Sequence, residues 1–226
     1  MRGVGLVLAM VVTAGAAQGQ GIRPVRNPGV HLGLGALLAQ PTGEFADNVG
    51  LGFGLGGHML WEPDPDRVFG LRADASYLIY GSETRRYQLL PLVDVDVTTN
   101  NQIAGFQFGP QLSVGRGAVR AYGYGQIGFS YFATTSSVEG SGSTNFDDFT
   151  FARAVGGGVR FQLTHGRTPV ALDLGARYLY NGRARYLREG SVEVSGDVVT
   201  ITPVESQTNL ILYQLGVSIG LGQRRG

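Results

Sequence analysis

The 226-residue chain contains no cysteine, which excludes a disulfide framework, a thiolate metal site, a catalytic thiol and a lipoprotein acylation site together. It contains no lysine, so all 18 basic residues are arginine, a bias read as genome composition before function. Charge is scarce: 15% of residues are charged and the net charge is +1, against roughly 25% charged in an average soluble domain. No field of that size draws nucleic acid, which is excluded as a partner. After the N-terminus there is also no apolar run approaching the roughly 18 to 20 residues that cross a bilayer as a helix. If the mature chain enters a membrane, it does not do so as helices.

What is abundant is glycine, 37 residues of 226, more than twice the usual share of about 7%. The length suits one domain plus an export signal. Arg2, an apolar run over 4–12 and the small residues Thr13, Ala14, Gly15, Ala16 and Ala17 follow the order of a secretory signal, with cleavage after Ala16, Ala17 or Gly19. An uncleaved anchor fits less well, because the run is short and crowded with Gly and Ala. The expected organisation is a signal peptide over 1–19, a short periplasmic segment over 20–28, a barrel over 29–222 and a tail over 223–226.

From residue 29 onward, segments of about ten to thirteen residues alternate apolar with small or polar side chains, the period of a two-faced strand. Eight such segments are read, near 30–39, 51–61, 69–80, 102–114, 119–132, 149–163, 170–180 and 208–221. In the third, Phe69, Leu71, Ala73, Ala75, Tyr77 and Ile79 oppose Gly70, Arg72, Asp74, Ser76 and Tyr80. In the sixth, Arg153 falls on the apolar side, which calls for a bulge or a rim position. Alternation alone does not tell a soluble barrel from a membrane barrel. The export signal, the strand length and a strict alternation of short connections (62–67, 115–118, 164–169) with long ones (41–50, 81–101, 133–148, 181–206) favour an outer-membrane barrel with its long loops outside. Trp61, Phe69 and Phe161 toward the short turns, and Tyr77, Tyr131, Phe149, Tyr178 and Tyr180 toward the long loops, are placed like two interfacial girdles. The predicted fold class is all-β, an eight-stranded antiparallel up-and-down transmembrane β-barrel.

The opening Leu32-Gly33-Leu34-Gly35 with Pro41-Thr42-Gly43-Glu44-Phe45, and the closing Gln214-x-Gly216-x-x-Ile219-x-Leu221, resemble the small outer-membrane β-barrel family that includes OmpX-like and OmpA-barrel proteins. The resemblance spans 29–222 and implies residence in the cell outer membrane, contact with outer-membrane lipid and lipopolysaccharide, and delivery by the barrel-assembly machinery. Gln214, Gly216, Ile219 and Leu221 are similar to the signal that machinery reads on a final strand. Here the signal ends in Leu221, not an aromatic, and residues 222–226 follow it.

Two literal dinucleotide fingerprints, Gly52-x-Gly54-x-x-Gly57 and Gly123-x-Gly125-x-x-Gly128, lie inside strands with no helix to receive a pyrophosphate, so no cofactor is expected. The inward face is predicted to carry Arg72, Asp74, Arg120, Arg160, Asp173 and Arg177 among Gln107, Gln111, Gln126, Gln162 and Gln214. An eight-stranded barrel is filled by its own side chains, so these groups are expected to pair with one another and with buried water, a narrow polar path being the functional alternative. His31 and His58 face inward without a carboxylate at ligand spacing, a poor metal site, and no metal is expected. No nucleophile and base can be placed together, so no enzyme is expected.

The outer loops are the most distinctive part. Segments 191–195 and 198–202 flank the hairpin pair Gly196-Asp197, and 92–97 alternates as a strand; barrel strands are expected to continue outside the membrane as a protruding sheet open to strand addition by a surface protein partner. Arg183, Arg185 and Arg188 either contact lipopolysaccharide phosphates or pair with Glu139, Asp147 and Asp148. Asp94 and Asp96 are too sparse for calcium. The sequence thus points to a non-enzymatic surface barrel serving envelope integrity or adhesion through extended loops, with an OmpW-like narrow pore for small polar or apolar molecules as the alternative.

Overall fold

In a computed structural model the described residues are 29–221, apart from 64–65, 91–92, 116, 139–140, 165–167, 188–190 and 196–197. The expected signal peptide over 1–19, the 20–28 segment, Gly222 and the 223–226 tail, Glu139, His165, Arg188 and the Gly196-Asp197 turn lie outside them. The strands are β1 (Gly29–Pro41), β2 (Gly52–Glu62), β3 (Phe69–Leu90), β4 (Val93–Val114), β5 (Val119–Val138), β6 (Ser141–Gln162), β7 (Val170–Asn181), β8 (Arg183–Tyr186), β9 (Val192–Ser195), β10 (Val198–Ile201), β11 (Val204–Gln207) and β12 (Leu210–Leu221). One 3₁₀ turn, Gly43–Phe45, follows β1.

Eight of these strands close on themselves in the order β1-β2-β3-β4-β5-β6-β7-β12, every neighbour antiparallel. Stepping from partner to partner, His31 leads to Leu60, Arg72 and Gly109. Gly109 lies opposite Gln126, between the pairs Phe108–Ile127 and Gln111–Tyr124. Ala154, Leu179, Leu210 and finally Pro41 follow. The path returns to β1 ten residues above its start, the stagger that leans the strands of a small barrel by about 40°.

The eight predicted strands are all present and their faces are as read: alternate side chains point in and out, with large apolar residues such as Phe53, Leu55, Ile127 and Leu215 exposed on the outer wall. Both fingerprint glycine triplets sit within β2 and β5. The main departure is length. Strands β3, β4 and β6 run 22 residues and β5 runs 20, whereas a barrel strand needs only about 9 to 11 to cross a bilayer. The second long connection is therefore mostly ladder, Gly81–Asn101 through Leu90–Val93, and so is the third, Ala133–Asp147 through Val138–Ser141. Extension of the second was expected; that of the third was not. In the fourth, β9 pairs with β10 and β11 with β8, as separate two-stranded ribbons.

The seam between first and last strands leaves no room for side chains at its glycine pair. Gly35 pairs with Gly216, and a Cβ on Gly35 would stand 2.6 Å from the Leu215 carbonyl and 2.7 Å from the Gly216 Cα. A Cβ on Gly216 would meet the Leu34 carbonyl at 2.6 Å. Gly216 thus has a packing reason to be glycine that is independent of any assembly signal. In refolding from urea into detergent micelles, with no assembly machinery present, Gly216→Val is expected to give little of the fast-migrating folded form on unheated gels. Gly123→Ala, whose nearest added contact is 3.8 Å away, is expected to fold like the parent; normal refolding of the valine variant would contradict the seam argument.

The interior divides into two zones. Toward the long loops it is dominated by an apolar cluster of Leu37, Leu78, Ile103, Ala152, Leu179, Leu210 and Leu212, with the neutral pairs Ser130–Asn181 and Thr134–Asn101 buried beside it. Phe45, delivered by the 3₁₀ turn and fully buried, stands edge-on to Tyr80 at 5.7 Å, Phe132 at 6.1 Å and Tyr186 at 5.0 Å between ring centroids. Toward the short turns the interior is polar.

Candidate functional site

The polar zone is built by the inward parity of seven strands, β1 to β7. In β3, Arg72 and Asp74 are neighbours on the inner face; Arg72 grips the Asp74 carboxylate with two parallel donations, Nε at 2.7 Å and Nη2 at 2.9 Å, the strong bidentate geometry. Gln126 donates to the same carboxylate at 2.7 Å and Arg177 approaches it at 3.2 Å. Arg72 also donates to Gln111 at 3.3 Å, and Gln111 to Ser113 at 3.0 Å. The Arg72 guanidinium lies 4.6 Å from the Tyr124 ring centroid and 5.4 Å from that of Tyr122. The second carboxylate, Asp173, accepts the Tyr122 hydroxyl and stands 3.7 Å from His58 and 3.9 Å from Arg160.

A third cluster closes the periplasmic end. Glu62 lies 3.1 Å from His31 and 3.5 Å from Arg120, which also donates to the Arg67 carbonyl. All six predicted interior charges are therefore on the inner side. Five form two carboxylate-centred groups in mid-barrel, while Arg120 stands apart at the rim. Sequence reasoning missed Glu62, counted as the start of a turn. The period of two carried one step past Trp61 places it with His58 and Leu60 on the inner face. The two inward histidines each stand beside a different carboxylate, His31 by Glu62 and His58 by Asp173. Among the described residues no group of three or more His, Asp and Glu side chains is placed to hold a metal ion.

The loop arginines have partners of their own. Arg183 pairs with Glu205 at 3.0 Å and Glu44 at 3.6 Å. The Arg185 guanidinium sits 5.5 Å from the Phe146 ring centroid, and its backbone N–H donates to Asp148 at 2.6 Å. Asp148 is thus engaged by the fourth loop as one sequence reading allowed, through a main-chain group and not an arginine side chain. Glu44 further accepts the Gln207 N–H at 3.0 Å, tying the turn that delivers Phe45 to β11. Arg153 is in register, opposite Ile127 and Tyr180, with no bulge beside it; of the two expected solutions it takes the rim position, exposed on the outer wall. Of the closing signal, Gln214 and Gly216 face inward while Ile219 and Leu221 are exposed outward.

Comparison with solved structures finds small outer-membrane barrels. The attachment invasion locus protein Ail of Yersinia pestis is 12% identical with a TM-score of 0.51, covering 87% of this chain and 100% of that one. A major outer membrane protein of Thermus thermophilus is 14% identical with a TM-score of 0.51 over 87% and 100%. OprG of Pseudomonas aeruginosa is 13% identical with a TM-score of 0.50 over 87% and 97%. Identities this low speak for the fold alone. No curated protein matches by sequence. The family described as outer membrane protein beta-barrel domain matches residues 4–202, and with the closed eight-stranded barrel and its apolar outer wall already in hand, the chain belongs to that family and is an outer-membrane protein.

Proposed function

We propose that this barrel is a non-enzymatic surface protein that serves adhesion or envelope integrity through the sheet it raises above the membrane. The observation that carries the reading is the extension of β3 to β6. Above Ile79 the β3 strand has no partner on its β2 side among the described residues, since that ladder ends at Phe53–Ile79, while its other side stays paired to Leu90–Val93. That edge covers residues 80–90 of β3, about 36 Å of strand, and a free edge of that kind recruits an extended segment of another chain by main-chain pairing. The interior carboxylates Asp74, Asp173 and Glu62 are each engaged by arginine, histidine or tyrosine side chains, which supports a structural and not a catalytic use. The apolar cluster around Phe45 counts against the polar-solute form of the alternative, an OmpW-like narrow pore for small polar or apolar molecules, because a polar solute would have to pass it.

Ail was solved with a heparin analogue, sucrose octasulfate, so a sulfated polysaccharide is the natural first probe beside matrix proteins and whole bacteria. Cells displaying the full chain are expected to adhere to at least one of these surfaces. Cells displaying a chain in which residues 82–99 are replaced by a short turn are expected to fall to the background of cells without the protein. Refolded protein in planar bilayers is expected to give no reproducible unitary currents. Undiminished adhesion by the shortened chain would sink the reading, and steady currents would restore the pore.

A further inference from the structure

Among the described residues, every outward-facing position from the periplasmic ends up to the level of Arg153 is apolar, glycine or neutral polar, and Arg153 alone is ionised. A guanidinium in contact with hydrocarbon is strongly disfavoured at mid-bilayer and tolerated only near the interface. Its height fits the second case. From Leu163, at the periplasmic end of β6, to Arg153 is ten residues, which at 3.3 Å per residue and a lean of about 40° is about 25 Å. That is the height of the apolar band of an outer-membrane barrel, about 25 Å. Arg153 therefore stands where the outer hydrocarbon gives way to headgroups.

Its surroundings are aromatic on both sides. Toward β5, Phe129 and Phe149 pack at 5.2 Å between centroids; toward β7, Tyr178 and Tyr180 pack at 4.3 Å. Ile127 and Tyr180 are its direct cross-strand partners. No hydrogen bond or ion pair engages the Arg153 side chain among the described residues, in contrast to Arg183, which is held by two carboxylates. The outward carboxylate above it on the same strand, Asp147, is six residues further out.

We propose that Arg153 and the flanking aromatic pairs form a lateral lipid site that binds a phosphate of a phosphorylated outer-leaflet glycolipid. The guanidinium fork matches a phosphate bidentately, and the rings supply flat apolar ground for the acyl chains below and the sugar above. The site moves the glycolipid contact from the loop arginines to the barrel wall. It rests on the barrel and its membrane level alone, and holds whether or not the loops are adhesive.

The test uses the full chain refolded into nanodiscs, with bound lipid counted by native mass spectrometry after release into detergent. The probes are bisphosphorylated lipid A, the same lipid with both phosphates removed, and phosphatidylglycerol. The parent is expected to retain the bisphosphorylated lipid at least about tenfold better than the other two. Arg153→Leu is expected to abolish that preference, and Arg153→Lys to keep part of it as a point charge without the fork. The unheated gel shift reports that each variant is folded; should Arg153→Leu fail to fold, Arg153→Gln carries the same prediction. Equal retention by the leucine or glutamine variant, equal retention of the dephosphorylated lipid, or a preference for phosphatidylglycerol would each overturn the site.

Discussion

Asp74→Ala is expected to lower the stability of the folded barrel by about 3–5 kcal/mol, the usual cost of breaking a buried ion pair from one side. Asp74 is 2% exposed and satisfies two guanidinium donations from Arg72, one amide donation from Gln126 and the approach of Arg177. Removing it leaves two arginines facing each other in a closed interior, with Arg72 fully buried. The measurement is a urea titration of the folded fraction in micelles. The companion triple variant, Arg72→Met, Asp74→Leu and Arg177→Met, removes the carboxylate together with both arginines it holds and is expected to recover most of the loss, because apolar replacements of buried ionic groups are often close to neutral. A single variant that loses less than about 1 kcal/mol would mean that water already reaches this group and that the interior is not closed.

The second large effect is at the opposite end of the barrel. Phe45→Ala is expected to cost about 3–5 kcal/mol, the range for deleting a buried phenyl ring that its surroundings cannot close over. Three rings, those of Tyr80, Phe132 and Tyr186, hold it edge-on, each such pairing adding about 0.5–1.5 kcal/mol beyond area. Phe45→Leu, which keeps most of the volume, is expected to lose far less. The cavity left by Phe45→Ala is lined by apolar groups and is expected to stay dry, so the alanine variant is expected to remain electrically silent despite its lower stability. A urea midpoint unchanged from the parent would show that Phe45 is not packed in the barrel mouth.

How much of this was legible in the sequence depends on where along each strand one looks. In the lower half the period of two is clean, as in Phe69 to Asp74, and the outer and inner faces of the strands follow from it. In the upper half the period fades: Ala36-Leu37-Leu38-Ala39, Tyr77-Leu78-Ile79-Tyr80 and Leu210-Ile211-Leu212-Tyr213 are apolar at every position. Runs like these signal a strand buried on both faces, and in a barrel the second buried face is the lumen. The apolar plug was thus written in the sequence as loss of alternation, but its centrepiece was not. Phe45 comes from a connection, and nothing local says that a loop residue turns back into the barrel. The strand extensions were half legible for a similar reason: Leu92 to Val97 alternates, whereas 136–144 is mostly Ser, Thr and Gly with little pattern, and Ser136, Ser137 and Val138 pair with Thr144, Ser143 and Ser141 because their neighbours hold them in register. The partners of Arg183 were not legible at all, since Glu44 lies far away in the chain and only barrel closure brings it near.

The unequal strand lengths have a consequence for how the molecule presents itself. Strands β3 to β6 are consecutive around the barrel, and so are β7, β12, β1 and β2; the first four are nearly twice as long as the rest. The rim is therefore a continuous extension of the barrel wall on one half of the circumference, while the other half carries the Gly43–Phe45 turn and the separate ribbons β8–β11 and β9–β10, so the molecule has a front and a back in the plane of the membrane. A neighbour arriving from the front meets an unbroken strand wall, and β6, which carries Arg153, marks the corner where that wall ends.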